Sequence, residues 1–423
     1  MHRRIESAMT MMTDPRHFKL RLFIEGNIIG VATGMVIALF RYLLELSEEY
    51  LPVLYRWLPE HIVWIPVWFL ALFLCSWVLY RIVRKDGMTS GSGIPQIKGI
   101  LLGEMDMNWA RVLVLKFTGA VLGIGAGMSL GREGPSVQLG ACLGQGLGRL
   151  THRSYAESHY LLTAGAGAGL AAAFNAPLAG VIFCLEELTK NFSAFVLMGA
   201  ISAAVTATTV TQYFFGMQPV FHMGVVPVID TGHMYFLLIL LGAFVGLLGL
   251  AFNPMLTRSQ DFYKKVPARW RPVVPLFCAG VLGFVLPQIL GGGSRLVDSL
   301  VVTDYTLAFL VLLLAAKFLF TMVCFGSGVP GGIFLPMLVL GSVGGAVFAK
   351  VAIFFQWMPE LFAVNCIVFG MAAYFSAVVK SPITGSILIM EMTGSFEHML
   401  ALIIVSMTAY LVADLSLIHI SEP

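Results

Sequence analysis

Long apolar runs separated by short polar segments form the main pattern of this chain. Leu22 to Phe40 and Ile62 to Tyr80 are the first two runs, and each approaches the roughly 20 apolar residues that a helix needs to span a bilayer. Glu45, Glu48 and Glu49 lie in the polar segment between them. A further uninterrupted run extends from Met234 to Phe252. The pattern predicts a multi-pass membrane protein.

The region from residue 90 to residue 214 stays apolar, but glycines interrupt it every few residues, as at Gly165, Gly167 and Gly169. Its segments are too short or too broken to be simple spans. Small residues allow helices to approach each other closely within a membrane. We therefore expect tilted and broken helices, and the predicted fold class is an all-α integral membrane protein.

Basic residues indicate which loops face the cytoplasm. They cluster before the first run, after the second run and after residue 252, whereas residues 215–233 contain no Lys or Arg. The N-terminus is therefore expected on the cytoplasmic side, with the 215–233 segment outside. The first half enters the membrane from inside and the second half from outside, which is what an inverted repeat requires.

The repeat is also visible in individual residues. Residues of the first half recur as the same residue type 201 positions later in the second half. Four further residues recur at an offset of 205 positions. The pairs are Lys116/Lys317, Phe117/Phe318, Gly125/Gly326, Gly131/Gly332, Pro135/Pro336 and Gly140/Gly341, then Gly165/Gly370, Pro177/Pro382, Gly180/Gly385 and Glu186/Glu391. Glu133 falls opposite Phe334 in this frame. The predicted organisation is a cytoplasmic arm (1–21), a first membrane repeat (22–214), an extracytoplasmic linker (215–233), an inverted second repeat (234–414) and a tail (415–423).

Composition narrows the class of protein. Of the 423 residues, 58% are hydrophobic and 12% charged, whereas a soluble globular protein has roughly 25% charged residues. The net charge of +3 is spread over loops, which gives no basis for nucleic-acid binding. The six cysteines form no CxxC pair and the nine histidines no HExxH motif, so neither a metal site nor a cofactor is predicted. No cleavable signal peptide is visible.

Three glycine-proline motifs carry the candidate chemistry. They are Gly91-Ser92-Gly93-Ile94-Pro95, Gly131-Arg132-Glu133-Gly134-Pro135, and the run from Gly326 to Pro336. Each motif is typical of the start of a broken helix, whose free N–H groups and positive dipole end favour an anion. Alternatively, the glycines serve only to pack crossing helices. Because a buried carboxylate in a membrane is expensive, Glu133 is a candidate functional residue.

In this order and hydropathy, the three motifs resemble the CLC family of chloride channels and proton-coupled chloride exchangers. The resemblance extends from about Leu20 to Asp414 and includes AGAGAGLAAAFNAPLAG (164–180) and SPITG (381–385). It implies an inverted-repeat fold, a homodimer with one pore per subunit, and a location in the bacterial inner membrane.

The resemblance also implies residue roles. The Ser92 hydroxyl and the backbone N–H groups of Ile333 and Phe334 would bind the central anion, and Glu133 would be the external gate that carries a proton. Glu187 matches the position that relays protons in the exchangers. The alternative is that Glu187 is an interfacial residue paired with Lys190. The remaining motif residues would build the anion site: Gly91, Gly93, Ile94, Pro95, Gly131, Arg132, Gly134 and Pro135.

Glu186 is expected to be structural, because the repeat pairs it with Glu391. Lys116 and Lys317 share a repeat position, which suggests a scaffold role or a contribution to the positive field more than direct anion contact.

The leading functional hypothesis is a chloride/H⁺ antiporter, in which chloride and protons are the transported ions and Ser92 favours chloride. The alternative is a passive chloride channel, which would use Glu133 but not require Glu187. A membrane-embedded enzyme would need a nucleophile–base or metal constellation, and none is visible.

The C-terminal tail departs from the family. No tyrosine follows Tyr410, whereas the family's last helix supplies a tyrosine that touches the central anion. Residues 415–423 resemble a translated sequencing adapter, so we expect a non-native tail and a missing last helix.

Overall fold

The structure, a computed structural model, describes the backbone of residues 15–229 and 232–421 and the side chains of residues 17–229 and 232–416. Within these ranges the fold is helical and has no strand, apart from one isolated bridge between Gly131 and Gly332. The first half contains α1 (Pro15–Trp57), α2 (Trp64–Lys85), α3 (Ile94–Leu101), α4 (Trp109–Gly125), α5 (Glu133–Leu150), α6 (Tyr155–Phe174), α7 (Pro177–Phe183) and α8 (Ala194–Phe215). The second half contains α9 (Gly232–Leu250), α10 (Phe252–Lys265), α11 (Val273–Val285), α12 (Ser294–Val302), α13 (Leu307–Gly326), α14 (Phe334–Phe354), α15 (Ala363–Val379), α16 (Pro382–Thr393) and α17 (Met399–Ser421).

Membrane-length helices dominate the fold. In the described ranges, nine helical stretches are long and apolar enough to cross a bilayer. The predicted runs at 22–40 and 62–80 fall within α1 and α2, apart from residues 62 and 63. Most of the polar segment after residue 40 is helical, because α1 continues through it to Trp57. Pro52 lies inside this helix, so its missing N–H removes one helical hydrogen bond without ending the helix.

The inverted repeat predicted from residue pairs is present in the backbone. Helix α5 begins at Glu133 and α14 begins at Phe334, its partner at the 201-residue offset. Just before these helices, the N–H of Gly131 donates to the carbonyl of Gly332 at 2.7 Å, and the N–H of Gly332 donates back to Gly131 at 2.7 Å. The two halves therefore meet at an antiparallel bridge that joins equivalent positions.

The 205-residue offset holds at a second pair of helix boundaries. Asn175 caps the end of α6 and Lys380 caps the end of α15, and both residues are left-handed, with φ of 55° and 66°. Two residues later, α7 begins at Pro177 and α16 at Pro382. Proline suits the first turn of a helix because its missing N–H would have no helical partner there.

Glycines bring the helices of each repeat into close contact. A Cβ atom on Gly140 of α5 would lie 2.0 Å from the Gly165 carbonyl oxygen of α6. The equivalent Gly341 of α14 would meet the Gly370 carbonyl oxygen of α15 at 2.4 Å. No side chain fits at either crossing. Close backbone contact therefore explains why small residues recur in these helices.

The predicted organisation remains a prediction in its boundaries. Residues 1–14 of the predicted arm lie outside the described residues, and α1 begins at Pro15, within the arm. Residues 216–229 of the predicted linker are irregular, and α9 begins at Gly232. The helix α17 runs through residues 415–421, and residues 422–423 of the predicted tail lie outside the description.

Candidate functional site

The three glycine-proline motifs meet at one place. The Gly331 N–H donates to the Gly91 carbonyl at 3.0 Å, and the Gly131–Gly332 bridge joins the other two motifs. A Cβ atom on Gly134 would lie 2.8 Å from the Ser92 Cβ, so the first two motifs also touch. Residues separated by some 200 positions in sequence are thus brought together, and the helices α3, α5 and α14 begin at this junction.

Glu133 lies in the middle of the junction and is completely buried. One carboxylate oxygen, Oε2, accepts a hydrogen bond from the Leu335 N–H at 3.3 Å. The other, Oε1, has no hydrogen-bond partner among the described residues. The carboxylate therefore lies against the N-terminus of α14, where a helix favours an anion.

The amide that binds the Glu133 carboxylate is that of Leu335. Sequence analysis assigned the N–H groups of Ile333 and Phe334 to the central anion, and that assignment stays a prediction. Leu335 follows Phe334 in the first turn of α14, so its N–H is also one of the free groups at the helix start. Ile333 precedes the helix, and the Phe334 ring packs edge-on against Phe183 and Phe375 with centroids 6.1 Å and 5.0 Å away.

Ser92 is buried in the loop that leads into α3. Its Oγ accepts a hydrogen bond from the Ile94 N–H at 3.3 Å, which leaves the hydroxyl proton able to donate to another group. Gly91 and Gly93 flank it with φ of 63° and 93°, a conformation that favours glycine. Pro95 follows in the first turn of α3.

Sequence analysis placed Arg132 among the anion-binding residues, and its side chain forms an ion pair with α1. Its guanidinium pairs with the Glu45 carboxylate of α1 at 3.3 Å, and Arg41 pairs with the same oxygen at 3.1 Å. The Arg132 side chain is partly buried. Gly134 and Pro135, also predicted, lie in the first turn of α5 and contribute backbone only.

Glu187 lies in a π-helical turn, Cys184–Leu188, that follows α7. Its Oε1 is 2.5 Å from Lys98 Nζ of α3, and its Oε2 accepts from the Ser381 hydroxyl at 2.9 Å. Glu187 does not pair with Lys190 in the described part of the chain; Lys98 is the cation that the sequence did not reveal. Both lysines line a cavity of about 540 Å³ beside Glu187.

Glu186 caps the start of α16, and Glu391 caps the start of α7. This is the behaviour expected of structural residues. Glu186 accepts from the N–H groups of Ile383 and Thr384, at 3.3 and 2.7 Å, at the start of α16. Glu391 accepts from those of Leu178 and Ala179, at 3.1 and 2.8 Å, at the start of α7. The two contacts are equivalent under the repeat.

Lys116 and Lys317 are both fully buried, and each holds a loop. Lys116 donates to the Thr89 and Gly91 carbonyls at 3.1 and 2.6 Å. Lys317 donates to the Ile289 and Gly291 carbonyls at 2.9 and 2.8 Å. The geometry agrees with the scaffold role that sequence analysis favoured.

The loop held by Lys317 is a second copy of the loop around Ser92, which sequence analysis missed. Gly291 and Gly293 have φ of 61° and 95°, close to the values of Gly91 and Gly93. The offset here is 200 residues, so the 201-residue frame hid the match. A search that allowed a one-residue shift would have found the shared glycine spacing.

Comparisons with known proteins identify the family. Residues 71–414 match the family model described as voltage gated chloride channel. This chain belongs to the CLC family. Among CLC relatives, the H⁺/Cl⁻ exchange transporter ClcA of Vibrio cholerae serotype O1 (strain M66-2) is 37% identical over 411 residues, covering 92% of this chain and 85% of the relative. The transporter of the same name from Vibrio parahaemolyticus serotype O3:K6 (strain RIMD 2210633) is 35% identical over 414 residues, covering 93% and 86%.

Solved CLC structures share the fold. A slow cyanobacterial Cl⁻/H⁺ antiporter superimposes with a TM-score of 0.88 at 29% identity, covering 94% of this chain and 95% of that one. A CLC-type fluoride/proton antiporter superimposes with a TM-score of 0.79 at 24% identity, covering 93% and 95%; this likeness concerns the fold alone. The predicted all-α, inverted-repeat membrane fold is thus confirmed.

Proposed function

We propose that this protein exchanges chloride for protons across the bacterial inner membrane and is a transporter, not an enzyme. The observation that carries the proposal is the position of Glu133, whose fully buried carboxylate lies against the N-terminus of α14 where three helix-starting loops meet. A carboxylate held at such a position takes the place of a transported anion. The CLC relatives named as H⁺/Cl⁻ exchangers support the same function.

In this proposal Glu133 and chloride compete for one region, the N-terminus of α14. The ionised carboxylate occupies the site, and protonation removes the charge that holds it there. The neutral side chain then swings outward with its proton, and chloride enters. The Ser92 hydroxyl and the N–H groups of Ile333 and Phe334 bind the central chloride.

Glu187 relays protons at the other end of the pathway. It lies beside a cavity of about 540 Å³ and is held by Lys98 and Ser381. A carboxylate exposed to such a cavity can exchange protons with solvent once Lys98 releases it. We place Glu187 toward the cytoplasm, together with the N-terminus, and Glu133 toward the outside, because the basic loops follow this orientation. A homodimer is part of the proposal.

Ion flux in proteoliposomes tests the function. An imposed chloride gradient should drive protons against their own gradient in vesicles that contain the wild-type protein. Glu187→Gln should abolish proton movement and retain chloride flux. Glu104→Gln is a matched control, because Glu104 is an exposed acid in the loop after α3; it should retain both fluxes.

Other outcomes have distinct meanings. Chloride flux without proton movement in the wild type would make the protein a passive channel. Loss of both fluxes in Glu187→Gln would mean that Glu187 is structural.

A further inference from the structure

Two carboxylates of α1, Glu45 and Glu48, lie at the Glu133 end of the pathway, but their partners differ. Glu45 is held by two guanidinium groups, those of Arg41 and Arg132, at 3.1 and 3.3 Å. Glu48 accepts a hydrogen bond from the Ser294 hydroxyl at 3.2 Å and forms no ion pair among the described residues. Glu45 is therefore committed to neutralising arginines, whereas the charge of Glu48 is free to act on its surroundings.

Glu48 reaches Glu133 through a short chain of contacts. A Cβ atom on Gly292, in the loop before α12, would lie 3.7 Å from Glu48 Oε1 and 2.5 Å from Leu335 Cδ2. The Leu335 N–H is the group that binds the Glu133 carboxylate. One glycine and one leucine thus separate the two carboxylates.

The charged groups around Glu48 come from several elements. Lys317 of α13 lies beside the same loop, because a Cβ atom on Gly293 would lie 3.1 Å from its Nζ. Lys317 is bound to two backbone carbonyls. Glu48 lines a pocket of about 280 Å³. The same pocket is lined by Arg56, Arg295 and Tyr305. Glu49, the next residue, is exposed, and Glu45 lies one turn away.

We propose that Glu48 is a positioning residue for the gate, whose negative charge repels the ionised Glu133 carboxylate and so sets the pH at which the gate opens. Like charges repel strongly where water is scarce, so an ionised Glu48 disfavours an ionised Glu133. This inference rests on the proposed role of Glu133 as the gate, but not on whether chloride flux is coupled to protons.

The test is the pH dependence of chloride flux in proteoliposomes, measured at equal pH on both sides. This dependence can be measured whether the protein is an exchanger or a channel. Glu48→Gln keeps the size of the side chain and an oxygen that can accept from Ser294. It should shift the half-maximal flux to lower pH by about half a unit or more, as expected when a nearby like charge is removed. Glu49→Gln, which removes an exposed charge next door, should not shift it.

A double variant decides whether Glu48 acts through Glu133. In Glu133→Gln the flux should no longer depend on pH, and adding Glu48→Gln should change nothing further. The inference is overturned if Glu48→Gln leaves the profile unshifted, or if it changes chloride flux equally with and without Glu133. A wild-type profile that does not depend on pH also overturns it. Absence of any chloride flux in the wild type would instead contradict the proposed function.

Discussion

In the first half of the molecule, the helix after the Gly131–Gly332 bridge begins with Glu133; in the second half, its counterpart begins with Phe334. The two helices have the same start, the same preceding glycine and the same close crossing with the next helix. At one start a carboxylate reaches across to the opposite helix, and at the other an aromatic ring fills an apolar pocket. The repeat places the same helix start in both halves. The first residue of the helix, Glu133 or Phe334, decides which half carries a titratable group there.

The equivalent features around this centre are structural in both halves. Lys116 and Lys317 hold equivalent loops, and Glu186 and Glu391 cap equivalent helices. Each of these side chains has backbone partners, and such partners are what makes the burial of the two lysines tolerable. Symmetric positions therefore serve the fold, and unsymmetric positions such as Glu133, Glu187 and Glu48 carry the proposed chemistry.

The largest expected effect comes from making the two helix starts alike. Phe334→Glu removes a ring packed against Phe183 and Phe375 and buries a carboxyl group. We expect the free energy of unfolding to fall by roughly 3 to 5 kcal/mol, the usual cost of deleting a buried aromatic side chain. Thermal unfolding in detergent measures the loss. Phe334→Leu is the control and should cost under about 1.5 kcal/mol. Equal stability of the two variants would contradict the view that this position is closed to charge.

The lysine pair tests whether the halves are equivalent away from the centre. Lys116→Met and Lys317→Met each leave two backbone carbonyls without their donor, so each should lower the free energy of unfolding by about 1 to 3 kcal/mol. Thermal unfolding of the two variants should show similar losses. A large loss in one variant and none in the other would show that the two loops are not held alike.

The smallest expected effect concerns Lys98, which pairs with Glu187. Its ion pair with Glu187 must part before the carboxylate can take a proton, so Lys98→Gln should speed proton-coupled flux about threefold, a change typical of one partly exposed ion pair. Proton uptake driven by a chloride gradient measures the rate. Lys190→Gln removes a charge from the same cavity and should leave the rate unchanged. A slower rate in Lys98→Gln would mean that the pair assists the relay instead of holding it closed.

Several features of the fold could be predicted because they depend on local composition. Apolar runs predicted the long helices, and the glycine-proline motifs predicted the starts of α3, α5 and α14. The paired positions predicted the repeat, including the residues that form the bridge. The continuation of α1 through residues 41–57 was missed, because charged side chains there suggested a polar segment between two spans. Arg41, Glu45 and Glu48 have partners within the fold instead.

Features of the candidate site that depend on distant contacts could not be predicted. Nothing near Lys98 in the sequence indicates Glu187, and nothing near Glu48 indicates Gly292. Leu335 is an apolar residue whose function lies in its backbone N–H, so its side chain carries no signal. The second copy of the Ser92 loop was hidden by a one-residue change of offset.

The sequence by itself determined that this chain is a helical membrane protein with an internal repeat, and that Glu133 is the charged residue at the centre of its first half. It could do so because hydropathy, glycine and proline act locally. The tertiary structure decided which groups each buried side chain meets: Leu335 for Glu133, Lys98 for Glu187, and Ser294 for Glu48. Hydrogen bonds and ion pairs depend on distances of a few ångströms, and only the packing of helices from both halves sets those distances.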